Sequence, residues 1–364
     1  MSINTYNYKP AKLLLEDGTI LDAHSFGADK TVCAEIVFNT GMTGYQEILT
    51  DPSYAGQAVV MTYPLIGNYG INPEDIQSRK IQVSGLIIKE LCNYESNWKS
   101  TSSLQEYIIK HDIPAFFNID TRMLTRIIRN KGAMNCLMTT KTNLNGEMEQ
   151  LKQYCFPSDI VREVSRTEKK SIPNSGPRLA IIDLGLKAGI VEHFVSHKAD
   201  ITIYPWNVSA NTILQENFDA LLLSNGPGDP KAVIPAITLA KNLMGKLPLF
   251  GICLGHQILA LAAGADTYKL KFGHRGSNHP VINTISGKVH ITAQNHGYAV
   301  SLENLPDNIQ VTYMNVNDHT VEGFCIPELN VYTVQFHPEA GPGPSDANYL
   351  FKEWIDSIKG KEYA

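Results

Sequence analysis

The sequence predicts an α/β protein: a C-terminal parallel or mixed sheet with flanking helices, preceded by an N-terminal β-rich α/β domain. Three observations carry this. After residue 177, short apolar runs alternate with helical patterns, which means a parallel sheet with helices on its faces. Before residue 150, strand-like runs dominate, opened by a hairpin signal at Glu16-Asp17-Gly18-Thr19. Between them lies a polar stretch that ends in Ser171-Ile172-Pro173-Asn174-Ser175-Gly176-Pro177, a linker signal. The expected organisation is a domain over 1–150, a linker over 151–176 and a domain over 177–364.

In the first half, strands are expected at Lys12 to Leu15, Ile20 to Phe26, Thr31 to Phe38, Gln57 to Thr62 and Gln82 to Glu90. A Gly-rich loop from Asn39 runs into a short helix before Pro52. Ser103 caps a helix to His111, with Leu104, Tyr107 and Ile108 on one face. Asp120 caps a second helix through Asn130, stopped at Gly132. Arg122, Arg126 and Arg129 line its outer face, read first as a solvated stripe and second as a partner surface, with Met123, Leu124, Ile127 and Ile128 turned inward.

In the second half, Leu179 to Leu184 is the first parallel strand. A helix follows from Ala188 to His197. His193 and His197 have metal-ligand spacing, but no third ligand or HExxH glutamate accompanies them, so they read as a solvated or half-buried face. Strands at Ile201 to Tyr204 and Ala220 to Ser224 lead to a helix at Ala232 to Met244. The apolar run into Cys253 is the next strand, and Leu254 to Ala263 is a helix. Shorter strands are expected at Val289 to Thr292, Tyr298 to Ser301, Val311 to Met314, Val321 to Ile326 and Val331 to Gln335. A helix from Asn348 to Lys359 closes the chain.

Composition excludes several classes. With 43% hydrophobic and 18% charged residues over 364, the chain is a globular protein of two-domain size. A formal charge of −5 gives no electrostatic case for nucleic acid or an anionic membrane. Six cysteines without CxxC spacing argue against a zinc site or disulfide scaffold and suit the reducing cytosol. Met1 to Pro10 is too polar for a signal peptide, and the apolar run around Cys253 is too interrupted to span a membrane. No Walker A or dinucleotide fingerprint stands in place.

The chemistry centres on Gly251-Ile252-Cys253-Leu254-Gly255. A nucleophile between two glycines on a strand-to-helix turn is the pattern of a nucleophile elbow. The helix behind it favours thiolate and offers free N–H groups to an oxyanion. His337, at the end of a strand, is the candidate acid and base. Glu339, two residues on, points the same way in an extended segment and can orient the imidazole. Gly226-Pro227-Gly228 suits an oxyanion site, and Gln257, one turn after Cys253, either binds an amide-bearing substrate or satisfies the core.

These residues are recognisable together. Gly251 to Gln257, Asn225-Gly226-Pro227-Gly228-Asp229-Pro230 and His337-Pro338-Glu339 resemble the class I glutamine amidotransferases. The stretch Phe38 to Glu47 with Asp51-Pro52-Ser53-Tyr54, Thr62-Tyr63-Pro64 with Ile66-Gly67-Asn68, and Asp120-Thr121-Arg122 with Leu124-Thr125-Arg126 narrow the resemblance to the small subunit of carbamoyl-phosphate synthase. Lys271-Phe272-Gly273-His274-Arg275-Gly276 and Gln294-Asn295-His296-Gly297-Tyr298 fit as well.

The resemblance implies a glutaminase. Cys253 attacks the glutamine side-chain amide to give a thioester and ammonia, His337 transfers protons, and Glu339 orients it. It assigns glutamine contacts to Gly41, Gly226, Gly228, Leu254, Gln257, Asn295, Gly297 and Tyr298. The N-terminal domain would bind a large subunit that uses ATP and Mg to make carbamoyl phosphate from bicarbonate, for arginine or pyrimidine synthesis. This chain itself would carry no cofactor and no metal, and would work in the cytoplasm. Three positions depart from the pattern: Gly41, where the family can have serine, Gly189 in place of asparagine, and Cys136 in place of glycine. The rival readings are an amidotransferase of anthranilate or GMP synthesis, which should lack the Asn39 to Tyr54 segment, and a non-catalytic scaffold, against which the complete Cys253, His337 and Glu339 set argues.

Overall fold

A computed structural model describes residues 8–144 and 146–359. Residues 1–7, part of the stretch read as too polar for a signal peptide, lie outside the described residues. The chain divides into two compact units, residues 1–50 with 54–157, and residues 51–53 with 158–364.

The N-terminal unit is built on a closed mixed barrel. β1 (Lys9–Leu15) and β2 (Ile20–Ser25) form the expected hairpin, and β3 (Val32–Asn39) runs on to α1 (Tyr45–Thr50) and β4 (Gln57–Met61). β5 (Leu65–Ile66) and β7 (Glu90–Leu91) pair with each other outside the barrel, while β6 (Gly85–Ile87) joins it. The stretch Gln82 to Glu90 is therefore not one strand. α2 (Leu104–Lys110), β8 (Ala115–Phe117), α3 (Thr121–Lys131), β9 (Met134–Thr139) and α4 (Glu147–Gln153) complete the unit. The order β1-β2-β8-β6-β4-β3-β9 closes when β9 pairs with β1. Leu13, Leu14 and Leu15 are all fully buried, so both faces of β1 are covered and its sequence shows a run rather than alternation.

Both helix starts behave as their caps predict. Ser103 and Glu106 form a reciprocal capping box on α2, with Glu106 N–H donating to Ser103 Oγ at 3.2 Å and Ser103 N–H to Glu106 Oε2 at 2.9 Å. Asp120 Oδ1 accepts from Met123 N–H at 2.9 Å at the head of α3. The inward face of α3 is narrower than expected. Thr121, Leu124 and Ile128 are buried, Ile127 is half-buried, and Met123 is 40% exposed. The 3.6-residue period leaves positions 123 and 127 on the flank of the 121–124–128 stripe.

The second unit is a sheet sandwiched by helices. α5 (Ile160–Val164) and β10 (Lys170–Ile172) occupy the stretch expected to be linker. Ile160, Val161 and Val164 are buried, a spacing too short to stand out in a polar stretch. β11 (Arg178–Asp183), α6 (Ala188–Ser196), β12 (Asp200–Pro205), α7 (Ala210–Gln215) and β13 (Ala220–Leu223) follow, then α8 (Ile234–Leu243), β14 (Leu249–Ile252) and α9 (Leu254–Ala263). α8 starts later than Ala232 because Pro235 lacks an N–H and is tolerated only in a first turn. β15 (Thr267–Asn283), β16 (Val289–Val300), β17 (Gln310–Asn315), β18 (Val321–Ile326), β19 (Val331–Val334) and α10 (Tyr349–Lys359) end the unit. β16 is one strand where two were expected, because its polar middle, Gln294 to His296, is buried rather than looped out.

The sheet runs β10-β12-β11-β13-β14-β19-β18-β16-β15-β17. Its centre, β12-β11-β13-β14-β19, is parallel, and the remaining neighbours are antiparallel. One face packs Leu221, Leu223 and Leu249 against Leu239, Leu243, Ile258 and Leu259 of α8 and α9. The other packs Ile181, Leu222 and Phe250 against Phe194, Phe351 and Trp354 of α6 and α10. Burying each such side chain contributes about 1.5–3 kcal/mol. His193 stacks on Phe351 of α10 with centroids 4.6 Å apart, and His197 Nδ1 lies 2.8 Å from the His193 carbonyl at the end of its own helix.

α9 approaches β13 so closely that a Cβ on Gly255 would lie 2.0 Å from the Leu223 carbonyl oxygen. Gly255→Ala is therefore expected to cost about 1–3 kcal/mol, lowering Tm by roughly 5 °C in thermal unfolding. An unchanged Tm would show that the helix can back away freely.

Candidate active site

Four neighbouring strands of the second unit, β11, β13, β14 and β19, end on one edge of the sheet, and the residues that follow them form the site. Cys253 stands between β14 and α9 with φ 53° and ψ −103°. That left-handed geometry is rare for a residue with a side chain and costs on the order of 1–3 kcal/mol. It is held by the Cys253 N–H, which donates to the Val334 carbonyl at 2.9 Å. The residue is 2% exposed, and its thiol donates to the Asn295 carbonyl at 3.6 Å.

His337 and Glu339 follow β19. His337 Nδ1 lies 2.7 Å from Glu339 Oε1, while its Nε2 is buried without a normal hydrogen bond. Lys187, beyond the end of β11, places its ammonium 2.9 Å from the same Glu339 oxygen and donates to the Ala340 carbonyl at 2.6 Å. All three side chains are almost wholly buried. Burial pushes the Glu339 carboxyl up, but the Lys187 ammonium and the His337 imidazole override it and hold it at about 2. Burial likewise works to lower His337. The Glu339 charge outweighs that and the opposing Lys187 charge, and with Cys253 it raises the imidazole to about 10.

The loop after β13 supplies Gly226 and Gly228. A Cβ on Gly226 would lie 2.1 Å from the Leu184 carbonyl, so only glycine fits there. Asn225 before it donates to Ser53 Oγ at 2.9 Å and accepts from Lys187 N–H at 3.2 Å. Leu254 opens α9, where the first N–H groups have no intrahelical acceptor. Gln257 donates its amide N–H groups to the Tyr298 carbonyl at 2.8 Å and to Gln335 Oε1 at 2.9 Å, bracing α9 against β16 and β19. Asn295 donates to Asp51 Oδ2 at 3.0 Å, and Gly297 follows on the same strand. The structure thus brings Cys253, His337 and Glu339 together with Asn295, Gln257 and Tyr298. Gly41 belongs to the N-terminal unit, where it follows β3 and its N–H donates to Asn39 Oδ1 at 2.6 Å.

Sequence reasoning missed three groups here. Lys187 gave no signal, because a lysine after a strand reads as solvated. Asp51 and Ser53 belong to the second unit although they lie far upstream. Gln335 reads as the polar end of a strand but is fully buried. Elsewhere in the unit, His274, His296 and Glu322 bring donor atoms within 4.8 Å of one another, as a metal site would. Burial lowers the His274 imidazole, but hydrogen bonds and charge from Asp318 and Glu322 more than offset this and push it up to about 9.

The family described as carbamoyl-phosphate synthase small chain, CPSase domain, matches residues 13–138, and that described as glutamine amidotransferase class-I matches residues 180–357. The chain is 48% identical over 356 residues to a carbamoyl phosphate synthase small chain of Oceanobacillus iheyensis, covering 97% of each chain. It is 47% identical over 352 residues to that of Listeria monocytogenes, covering 96% of this chain and 97% of the relative. Over 352 residues it is 48% identical to a carbamoyl phosphate synthase pyrimidine-specific small chain of Bacillus subtilis, covering 96% of each.

Glu339→Gln removes the carboxylate that raises His337, leaving burial and the Lys187 cation, which lower it, opposed only by the Cys253 hydrogen bond. The His337 titration, followed by NMR, should then move down from about 10 by roughly two or more pH units. At pH 8 the wild-type ring is then an imidazolium and at least half of the variant rings are neutral. A midpoint that stays in place would mean that Glu339 does not set the charge of His337.

Proposed function

Because the chain belongs to the carbamoyl-phosphate synthase small-chain family, we propose that Cys253, His337 and Glu339 run its glutamine hydrolysis as a thioester-forming triad. The observation that carries this reading is the strained Cys253 elbow beside the buried His337–Glu339 pair. The Cys253 thiolate attacks the side-chain amide carbon of L-glutamine. Negative charge on the tetrahedral oxygen faces the N–H groups at the head of α9 and in the Gly226–Gly228 loop. His337 gives its proton to the departing nitrogen, ammonia leaves, and a γ-glutamyl thioester remains on Cys253. His337 then takes a proton from water, which attacks the thioester and releases glutamate. Glu339 keeps the ring oriented and balances its positive charge.

Gly41, Gly226, Gly228, Leu254, Gln257, Asn295, Gly297 and Tyr298 hold the glutamine in this proposal. Ammonia passes to a large synthase subunit, which uses ATP and Mg with bicarbonate to form carbamoyl phosphate. This chain then needs no cofactor of its own. The product serves pyrimidine or arginine synthesis, and the relative named pyrimidine-specific supports the first. All six cysteines are free, which supports a place in the reducing cytoplasm. Among the described residues, no helix is long and apolar enough to cross a membrane.

The test measures ammonia release from glutamine, and carbamoyl phosphate formed with a large synthase subunit, ATP and bicarbonate. Cys253→Ser should cut glutamine-dependent synthesis by roughly three orders of magnitude while leaving ammonia-dependent synthesis within about twofold. Loss of both activities in an assembled complex would overturn a purely glutaminase role.

A further inference from the structure

The glutamine contacts assigned to β16 sit in an unusual piece of sheet. β15, 17 residues long, pairs with β16 from Thr267 to Ile282, but the register breaks between Lys269 and His274 and again between Gly276 and His279. Between the breaks only His274↔His296, Arg275↔Asn295 and Gly276↔Gln294 remain in register. Asn295, whose carbonyl receives the Cys253 thiol, therefore lies in an island of pairing that the flanking ladder does not fix. Asp51, through the Asn295 amide, and His337 N–H, through the Ala293 carbonyl, hold one side of it, and side chains hold the other.

His274 is 7% exposed and lies between two carboxylates. Its Nε2 is 2.8 Å from Asp318 Oδ2, and its Nδ1 is 3.4 Å from Glu322 Oε1. Asp318 stands in the turn between β17 and β18, where its other oxygen accepts from Thr320 Oγ1 at 2.9 Å. Glu322 is fully buried on β18, and Asn315 Nδ2 donates to its Oε1 at 3.0 Å. The Glu322 carbonyl accepts from Gln335 N–H at 2.8 Å, and Gln335 in turn receives the Gln257 amide. On the other side, the ring of His274 meets that of His296 edge to face, with centroids 4.9 Å apart at 83°. His296 Nδ1 is 2.7 Å from the Tyr298 carbonyl, the same carbonyl that Gln257 holds. A chain of contacts thus runs from β18, through His274 and His296, to the strand segment between Asn295 and Tyr298.

We propose that His274, clamped between Asp318 and Glu322, is a positioning residue that holds the Asn295–Tyr298 segment in place through His296 and thereby sets the affinity for glutamine. It rests on the reading of that segment as the glutamine contact. His274 touches neither the reacting atoms nor the triad, so its loss weakens binding without altering the chemical step. A charged hydrogen bond to Asp318 at Nε2 and an ion-pair contact of 3.4 Å to Glu322 at Nδ1 give the clamp its stiffness. A neutral substitute loses at least one of them and lets the island shift.

The experiment compares wild type, His274→Gln and Asp318→Ala in complex with a large synthase subunit, measuring kcat and KM for glutamine and, as a control, ammonia-dependent synthesis. His274→Gln should raise KM about tenfold with kcat within roughly threefold, because a displaced contact segment weakens ground-state and transition-state binding alike. Asp318→Ala, at the half-exposed end of the clamp, should raise KM in the same direction by less. An unchanged KM in either assembled variant, or a fall in kcat at constant KM, overturns the proposal. If His274→Gln does not assemble, Asp318→Ala decides alone. A wild-type complex that makes carbamoyl phosphate from ammonia but not from glutamine would instead overturn the glutaminase reading, and is read from the same assay.

Discussion

Lys187, Glu339 and His337 share a volume from which water is excluded. Each charge there is tolerable only because the others are present, since an isolated ion in such a place costs far more than the fold can offset. The carboxylate sits between two cations, so the three together carry one positive charge in excess. Cys253 is the group placed beside it. Three strand ends supply this arrangement. β11 must deliver a lysine, β19 a histidine and a glutamate, and β14 a sulfur, all to one edge of a parallel sheet.

The sheet meets this demand through its order. β11, β13, β14 and β19 are successive neighbours, so their carboxyl ends are evenly spaced along one edge. Close packing then decides which residues can stand there. Glycine at 226 and at 255 lets backbone pass within contact of Leu184 and Leu223, and the strained turn at Cys253 is held because its neighbours leave no room to relax. Strain at the nucleophile is offset by the Cys253 N–H bond to Val334 and by burial on both faces of the sheet.

Much of this was legible in the chain. The span Leu254–Ala263 stands where its periodicity put it, and the caps at Ser103 and Asp120 close as their side chains require. The elbow at Cys253 and the pair His337 and Glu339 come together because local pattern encodes them: glycines around a nucleophile, and two side chains on one side of an extended segment. What failed to show was non-local. β15 is rich in Lys, Gly and His, and its two register breaks destroy the alternation that marks a strand. β8 and β9 close the barrel through partners distant in sequence, and no short window records such pairing. Lys187 is invisible for the same reason: its partner lies over 150 residues away.

The hydrogen bond from Cys253 N–H to Val334 has a mechanical meaning. It fastens the nucleophile's own backbone to the strand that ends in His337. His337 N–H in turn donates to the Ala293 carbonyl, on the strand that carries Asn295. The backbones at Cys253, His337 and Ala293 are therefore tied in series by these two bonds. Any signal reaching this site from outside acts on a preassembled machine. It can change what enters, how long it stays or where the product goes, while the spacing of the reacting groups remains as the sheet set it.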